Sequence, residues 1–358
     1  MAIYPGADTE RRFSPDELSG AVQEIFIAAG MSPDDARELA ESLVAADQRG
    51  IHSHGTLRVP EYVEKLRVGG VNPRGRPRIV SSVGGAIVVD GDNAMGQIAA
   101  AFAMREAIDR ARETKVAFVA VRGSNHCGAL DRWVLRAASE GMVGLASTNA
   151  LPTMAPWGGR DKIVGMNPFA AAFPAANEPP IVLDAAFGAT AHGKIRVYHQ
   201  KGHPIPDGWA YDAQGEPTTD PAAAIGGLIQ PIGQHKGIGL AVVMGMLSTL
   251  LSGASYGTEL GDMIAGPKPG HDGHFFAAVD IAAFQPVEQV KVRVDSISRE
   301  IQQSRPVAAT TRLYPPGLLE AQLENANARD GIPLNEATIL GIRTAARNLV
   351  AQVIQNEG

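Results

Sequence analysis

The chain has 358 residues, 45% of them hydrophobic and 20% charged, a globular composition long enough for two packed domains or one large one. A formal net charge of −6, with the lysines and arginines scattered, excludes the basic stripe that nucleic acid needs and argues against an anionic membrane surface. The one cysteine, Cys127, excludes an intramolecular disulfide, and residues 1–13 lack the apolar core of a secretory signal, so a cytoplasmic protein is expected.

Ser14-Pro15-Asp16-Glu17 reads as a helix start, and Leu18, Val22, Ile25, Phe26 and Ala29 follow at helical spacing until Gly30. Ser32-Pro33-Asp34-Asp35 repeats the signal, with Leu39, Leu43 and Ala46 on the next apolar face. A turn through Gln48-Arg49-Gly50 leads to His52-Ser53-His54-Gly55. A third helix is predicted over 57–67, with Pro60 in its first turn, closed by Gly69, Gly70 and Pro73. Ile79-Val80 and residues 86–90 read as strands joined by a hairpin at Gly84-Gly85. A helix over 99–112 and strands over 116–121, 143–147 and 181–183, the last ending at Asp184, imply an α/β arrangement. Residues 199–221, rich in Gly, Pro and Asp, read as a structured loop. The stretch 237–257 carries no charge and has the length of a membrane span. It holds five glycines and four serines or threonines, and no second span accompanies it, so a buried core helix is expected. Residues 275–281 and 287–294 resemble an antiparallel strand pair. From Leu318 onward the tail reads as helix, with Ile339, Ile342, Ala346, Leu349 and Val350 as its apolar residues.

No Gly-x-Gly-x-x-Gly follows a strand and opens a helix. The nearest match, Gly237-Ile238-Gly239, lacks the third glycine, so a standard Rossmann domain is not supported. There is no Walker A sequence and no Gly-x-Ser-x-Gly elbow. The polar run from Arg49 to Arg58 stands out. His54 can exchange a proton near neutral pH, Ser53 can orient it, and Arg58, four residues on, presents a planar fork suited to a carboxylate. The competing reading is a helix start capped by Ser53, with solvated histidines. Ser124-Asn125-His126-Cys127-Gly128 follows a strand end, a common place for a ligand loop; the competing reading is a turn with a packed histidine. Gln234-His235-Lys236-Gly237 opens the long apolar helix, where backbone N–H groups and a lysine suit a phosphate; capping is the alternative. Cys127 reads as a small buried residue. His52, His54 and His126 also allow a metal-dependent hydrolase, although no acidic partners cluster with them.

Ser53-His54-Gly55, Arg58, Tyr62, Leu66, Gly69 and Asn72 together resemble the first motif of the malate/L-lactate dehydrogenase family that lacks the Rossmann fold. Ureidoglycolate dehydrogenase, sulfolactate dehydrogenase, 2,3-diketogulonate reductase and piperideine-2-carboxylate reductase are members. Gly91-Asp92-Asn93 with Gly96-Gln97, Ser124-Asn125-His126 with Gly128, Ala155-Pro156-Trp157-Gly158-Gly159, Asn167-Pro168, Ile205-Pro206 with Gly208-Trp209-Ala210, 217–221 and His235-Lys236-Gly237 match in order over nearly the whole chain. The resemblance implies an α/β fold with a family-specific, non-Rossmann NAD(P)-binding domain built on a mixed sheet (76–314). A helical substrate and dimerisation domain would come from both chain termini (1–75 with 315–358). It implies hydride transfer between NAD or NADP and C2 of a small 2-oxo or 2-hydroxy carboxylic acid, in a homodimer. Ser53, His54, Arg58 and His126 would be catalytic: His54 the proton donor, Ser53 orienting it, Arg58 holding the substrate carboxylate, His126 beside the nicotinamide. His126, Cys127, Gly128, Ala129, Leu130, Asp184, Ala185, Ala186, His235, Lys236, Pro316 and Gly317 would meet the cofactor, and no metal is called for.

The chain departs from the family pattern at Cys127, where an aromatic is common, and at Met166, where threonine is common. Ala185-Ala186-Phe187-Gly188 stand where Met-Ala-Thr-Ser is usual, and Leu318 follows Pro316-Gly317 in place of glutamate, with Glu320 further on. Lys194 is shared with many members, whereas some imine reductases have an acid there. The departures bear on substrate identity and, to a lesser degree, on cofactor affinity; the alternatives are a cyclic 2-imino acid reductase of the same family, the metal-dependent hydrolase using His52, His54 and His126, and a non-catalytic dimeric binding protein suggested by Met166 and Phe187.

Overall fold

The proline-started helices form where their spacing places them. The computed structural model describes residues 10–200, 202–261, 271–308, 310 and 312–356. The expectation for the first nine residues, and the one for the Val350 side chain, lie outside what it describes. β1 (Arg11–Phe13) leads into α1 (Pro15–Ala28) and α2 (Pro33–Gln48). Ser32 accepts the Asp35 N–H as a side-chain cap, whereas Ser14 makes no such bond. Short 3-10 turns at His52–His54 and Thr56–Arg58 precede α3 (Val59–Arg67), which starts two residues later than the spacing predicts. Next come β2 (Arg78–Val83), β3 (Ala86–Asp90), α4 (Gly96–Thr114), β4 (Val116–Ser124), α5 (Asp131–Ser139) and β5 (Met142–Thr148). They are followed by β6 (Pro152–Met154), β7 (Val164–Gly165), β8 (Phe169–Phe173), β9 (Ile181–Ala185), α6 (His192–Gln200), β10 (Ala210–Tyr211), β11 (Pro217–Thr218), α7 (Pro221–Gly226) and β12 (Leu228–Ile229). The chain closes with α8 (His235–Thr249), β13 (Asp272–Asp280), α9 (Val287–Gln303), α10 (Leu318–Asp330), β14 (Ile332–Leu334) and α11 (Glu336–Asn356).

A mixed seven-stranded sheet in the order β2-β3-β4-β13-β5-β8-β9 organises this α/β fold. Only β3 and β4 pair in parallel, joined by α4 as a crossover; the other neighbours are antiparallel. The alanine face of α4 (Ala99, Ala100, Ala103, Ala107, Ala111) is fully buried, which lets the helix lie close against Val119, Val121 and Phe276. A second core unites the chain ends: Leu18, Phe26, Leu39, Leu43, Val59 and Tyr62 pack with Ile332, Ile339 and Leu349, and β1 pairs antiparallel with β14.

Three expectations are corrected. Residues 287–294 belong to α9, not to a strand. Val290, Val294, Ile297 and Ile301 recur every three or four residues, and this period outweighs their β-branched character. The partners of β13 are β4 and β5 instead. The uncharged stretch 237–257 is a core helix on one face only. Ile238, Ala241 and Gly245 of α8 are buried, while Leu240, Val243 and Met246 are 42–50% exposed. Among the described residues no helix is long and apolar enough to cross a membrane. The helical tail is interrupted by β14, because Gly331 turns the chain at a φ of +83° with Arg12 and Phe13 pressed against its Cα.

Candidate active site

Asp47, in the last turn of α2, shapes the loop that carries the first motif. Its carboxylate is 1% exposed. It accepts the Thr56 N–H (2.7 Å) and the Thr56 hydroxyl (2.6 Å) and lies 2.7 Å from His52 Nδ1. Gly55 makes this possible, since a Cβ there would overlap the carboxylate. Burial works against the charged form of His52, but Asp47 outweighs it and holds the imidazole above its ordinary range. Ser53 Oγ sits 2.9 Å from His54 Nδ1, so the hydroxyl orients an imidazole and caps no helix. Arg58 folds back over the loop, donating Nε–H to the Ser53 carbonyl (2.7 Å) and pairing with Glu61 (2.6 Å).

The second motif arrives from the sheet. β4 ends at Ser124, and the loop beyond it presses on the start of α4. Asn125 Nδ2 donates to Asn93 Oδ1 (2.9 Å) and to the Ala94 carbonyl (2.8 Å). Gly96 has no room for a Cβ beneath the Asn125 and His126 carbonyls. The His126 ring stacks on that of His54, with centroids 5.3 Å apart and planes 25° apart. His126 Nδ1 lies 2.6 Å from the Tyr62 hydroxyl, which in turn accepts Nε2–H of the fully buried Gln97 (3.2 Å). Burial, and then the Arg58 charge, push His54 down to about 4. Burial, His54 and Arg58 push His126 well below its ordinary value, so the surroundings of both rings favour the uncharged form. Behind them His274 of β13 is fully buried, its Nδ1 2.7 Å from Thr148 Oγ1 and its Nε2 2.8 Å from Ser124 Oγ.

Several of the residues read as cofactor contacts are tied to one another or to near neighbours. Cys127 is buried, its thiol pushed up by that burial, and its carbonyl accepts the Trp133 indole N–H (3.1 Å). Gly128 takes a φ of +78°. Leu130 and Asp131 donate their N–H groups to Asp184 Oδ2 (2.8 and 2.9 Å), so Asp184 closes the N-terminus of α5. Val182 donates to the Pro316 carbonyl (3.0 Å), and Gly317 lies against Val182. Beyond Ala185 and Ala186, Phe187 accepts the Ile232 N–H (3.0 Å). That bond leads to His235 and Lys236, exposed in the first turn of α8, where no side chain caps the helix. An anionic pyrophosphate fits such a turn.

Sequence reasoning did not assign Asp47, Gln97 or His274. Tyr62 and Gln97 lay among the matched positions, and His274 was hidden in an apolar strand. Among the described residues no three His, Cys, Asp or Glu side chains are placed to hold a metal ion. His52 is bonded to Asp47 while His54 stacks on His126, which weighs against the hydrolase reading. The departures at 166 and 187–188 are contiguous: Phe187 donates its N–H to the Met166 carbonyl (3.1 Å), and a Cβ on Gly188 would sit 2.8 Å from Met166 Sδ.

The malate/L-lactate dehydrogenase family profile matches residues 13–343. The chain is 35% identical to the malate dehydrogenase of Pyrococcus abyssi over 346 residues, covering 94% of this chain and 95% of that one. It is 32% identical to a Pseudomonas putida Delta(1)-pyrroline-2-carboxylate/Delta(1)-piperideine-2-carboxylate reductase, covering 95% and 98%. The solved sulfolactate dehydrogenase of Methanocaldococcus jannaschii superimposes with a TM-score of 0.88 at 34% identity, covering 95% and 97%. By profile, sequence and fold alike, the chain belongs to the malate/L-lactate dehydrogenase family.

Proposed function

We propose that this protein is an NAD(P)-dependent 2-hydroxy acid dehydrogenase and 2-oxo acid reductase. The observation that carries the reading is the pair of stacked imidazoles, His54 and His126, with the Arg58 guanidinium held over the same turn. When bound, a nicotinamide cofactor would supply the hydride chemistry at C2. The protein's part is to bind, orient and move a proton. Arg58 holds the substrate carboxylate through its planar fork. His54, oriented by Ser53, exchanges the proton of the C2 oxygen. The residues from Cys127 to Leu130, Asp184 to Ala186 and Pro316-Gly317, with His235 and Lys236 at α8, would hold the dinucleotide.

The reading also takes the cofactor domain (76–314) as non-Rossmann and the helices of 1–75 and 315–358 as one substrate and dimerisation domain. The core shared by α1, α2, α3, β14 and α11 supports that division. We expect a cytoplasmic homodimer, checked by light scattering as a mass near twice the 37.6 kDa chain. The resemblance to the Pseudomonas putida reductase keeps cyclic 2-imino acids as the second substrate class. The departures at Met166 and Phe187 leave His54, His126 and Arg58 in place, which weighs against a non-catalytic binder.

The test is loss of nicotinamide absorbance with NADH and NADPH separately, across 2-oxo acids and cyclic 2-imino acids. Turnover that drops at least ~100-fold in His54→Ala supports the reading. Full turnover in that variant removes His54 from the mechanism, and no turnover of any substrate by the native protein overturns the function.

A further inference from the structure

We propose that Gln97 is a positioning residue that fixes the tautomer of His126, acting through the Tyr62 hydroxyl so that His126 presents Nε2–H to the substrate oxygen. The inference rests on the proposed hydride-transfer reading for its consequence in catalysis, but not for the tautomer itself.

The three side chains form a chain whose inner two members, Gln97 and Tyr62, are buried, with the partly buried His126 at its outer end. Gln97 is 0% exposed and Tyr62 2%. The Gln97 Nε2–H donates to the Tyr62 oxygen at 3.2 Å, and that oxygen lies 2.6 Å from His126 Nδ1. A phenol has one proton to give. With its oxygen accepting from Gln97, the phenol has His126 Nδ1 as its one acceptor among the described residues; an Nδ1–H there would leave the buried O–H unanswered, so Nδ1 is the bare nitrogen. In a neutral imidazole the remaining proton sits on Nε2.

The opposite arrangement needs the Gln97 amide reversed. Its carbonyl would then accept the phenol proton, Tyr62 would accept from Nδ1–H, and His126 would present a bare Nε2. The surroundings of the amide decide between the two. Gln97 Oε1 has no hydrogen-bond partner among the described residues. In the first arrangement the orphaned group is a carbonyl. In the second it is the NH2 group, with donors buried and unanswered. A buried N–H without a partner is the rarer defect, because a carbonyl tolerates under-satisfaction better, so the amide keeps its donor on Tyr62.

This arrangement divides the labour of the stacked pair. His126 becomes a fixed hydrogen-bond donor to charge developing on the C2 oxygen, and His54 alone exchanges the proton. An oxyanion donor works best when preorganised, and Gln97 and Tyr62 supply that preorganisation without touching substrate.

The tautomer is read directly from the nitrogen-15 shifts of histidine-labelled full-length protein near neutral pH, with His126→Asn used only to assign the signals. The native protein is expected to show a pyrrole-type Nε2 and a pyridine-type Nδ1 at His126. Gln97→Met, which keeps the volume and removes both amide groups, is expected to mix the tautomers. It should lower kcat at least about tenfold while KM for the carboxylate substrate stays within about twofold. Gln97→Asn, with its shorter reach, should not restore the native signal. If Gln97→Met fails to fold, Tyr62→Phe makes the same test, since it removes the hydroxyl and keeps the ring. A pyrrole-type Nδ1 in the native protein overturns the proposal, as does an unchanged His126 signal in either variant. Failure of the native enzyme to turn over any substrate counts against the functional reading alone, because the shifts still report the tautomer.

Discussion

At the scale of single residues, the proposed site sets imidazoles where their surroundings disfavour the charged form. His54 is pushed down to about 4, first by burial and then by Arg58. In the proposed role of base in the oxidation of a 2-hydroxy acid it must be unprotonated, so kcat/KM for oxidation should hold level from neutral pH downward and break only near that low value. In the reduction direction kcat/KM should rise toward the same pH. A break near the ordinary histidine value of about 6.5 would show that His54 is not the base in this setting. Asp47 offers a separate check. Asp47→Ala leaves the Thr56 N–H and hydroxyl unanswered in a buried site. It should lower stability by about 1–3 kcal/mol, read as a lower denaturant midpoint at unchanged slope, and slow turnover by loosening the loop that bears His54. Native stability in that variant would mean that the loop holds without its anchor.

At the scale of elements, two joints hold the motif-bearing segments. One is the approach of the Asn125–His126 loop to the first turn of α4. Gly96→Ala would drive a methyl group into the Asn125 and His126 carbonyls. It should displace the loop, lower activity and cost about 1–3 kcal/mol as overpacking does; wild-type kinetics would show that the close approach is unnecessary. The other joint is Arg49, 6% exposed, which bonds Asp131 at 2.6 Å and Glu324 at 2.7 Å, tying α2 to α5 and α10. Arg49→Met strands the buried Asp131 carboxylate at the head of α5 and should cost about 3–5 kcal/mol in chemical denaturation. Much of this was legible in the sequence. The helices marked by Ser-Pro-acid starts and the hairpin at Gly84-Gly85 formed where punctuation and period both pointed. What misled was composition without period: the valines of α9 suit a strand by type, but their spacing is helical. Local sequence could not show which strand would enter the centre of the sheet. β13 follows β5 by more than a hundred residues, and only the packed sheet places it between β4 and β5. Likewise the motifs named His54 and His126, but their stacking depends on α3 and β4 meeting in space.

At the scale of the whole molecule, that central strand makes stability depend on pH. β13 carries His274 between β4 and β5, with both ring nitrogens bonded to hydroxyls of those neighbours and no exposure to solvent. Burial pushes this imidazole down to about 4, from about 6.5 in an unfolded chain. Between those two values the unfolded chain binds a proton at this position and the folded one does not, so protons favour unfolding. Stability should therefore be level above pH 6.5 with respect to His274, fall as the pH drops from 6.5, and have lost up to about 3 kcal/mol from this group by pH 4. His54 contributes in the same direction. Asp272 at the start of β13, pushed up to about 7 by burial, contributes in the opposite one, since its protonated form is the folded one. The total slope thus mixes signs, and the decisive quantity is the difference between native protein and His274→Gln. The variant can be less stable at neutral pH, because the hydroxyls of Ser124 and Thr148 lose their partner, but it has no imidazole to titrate. Its stability, measured by urea denaturation from pH 7 to pH 4, should decline less steeply than that of the native protein. Parallel declines would mean that His274 keeps an ordinary affinity for protons at the centre of the sheet.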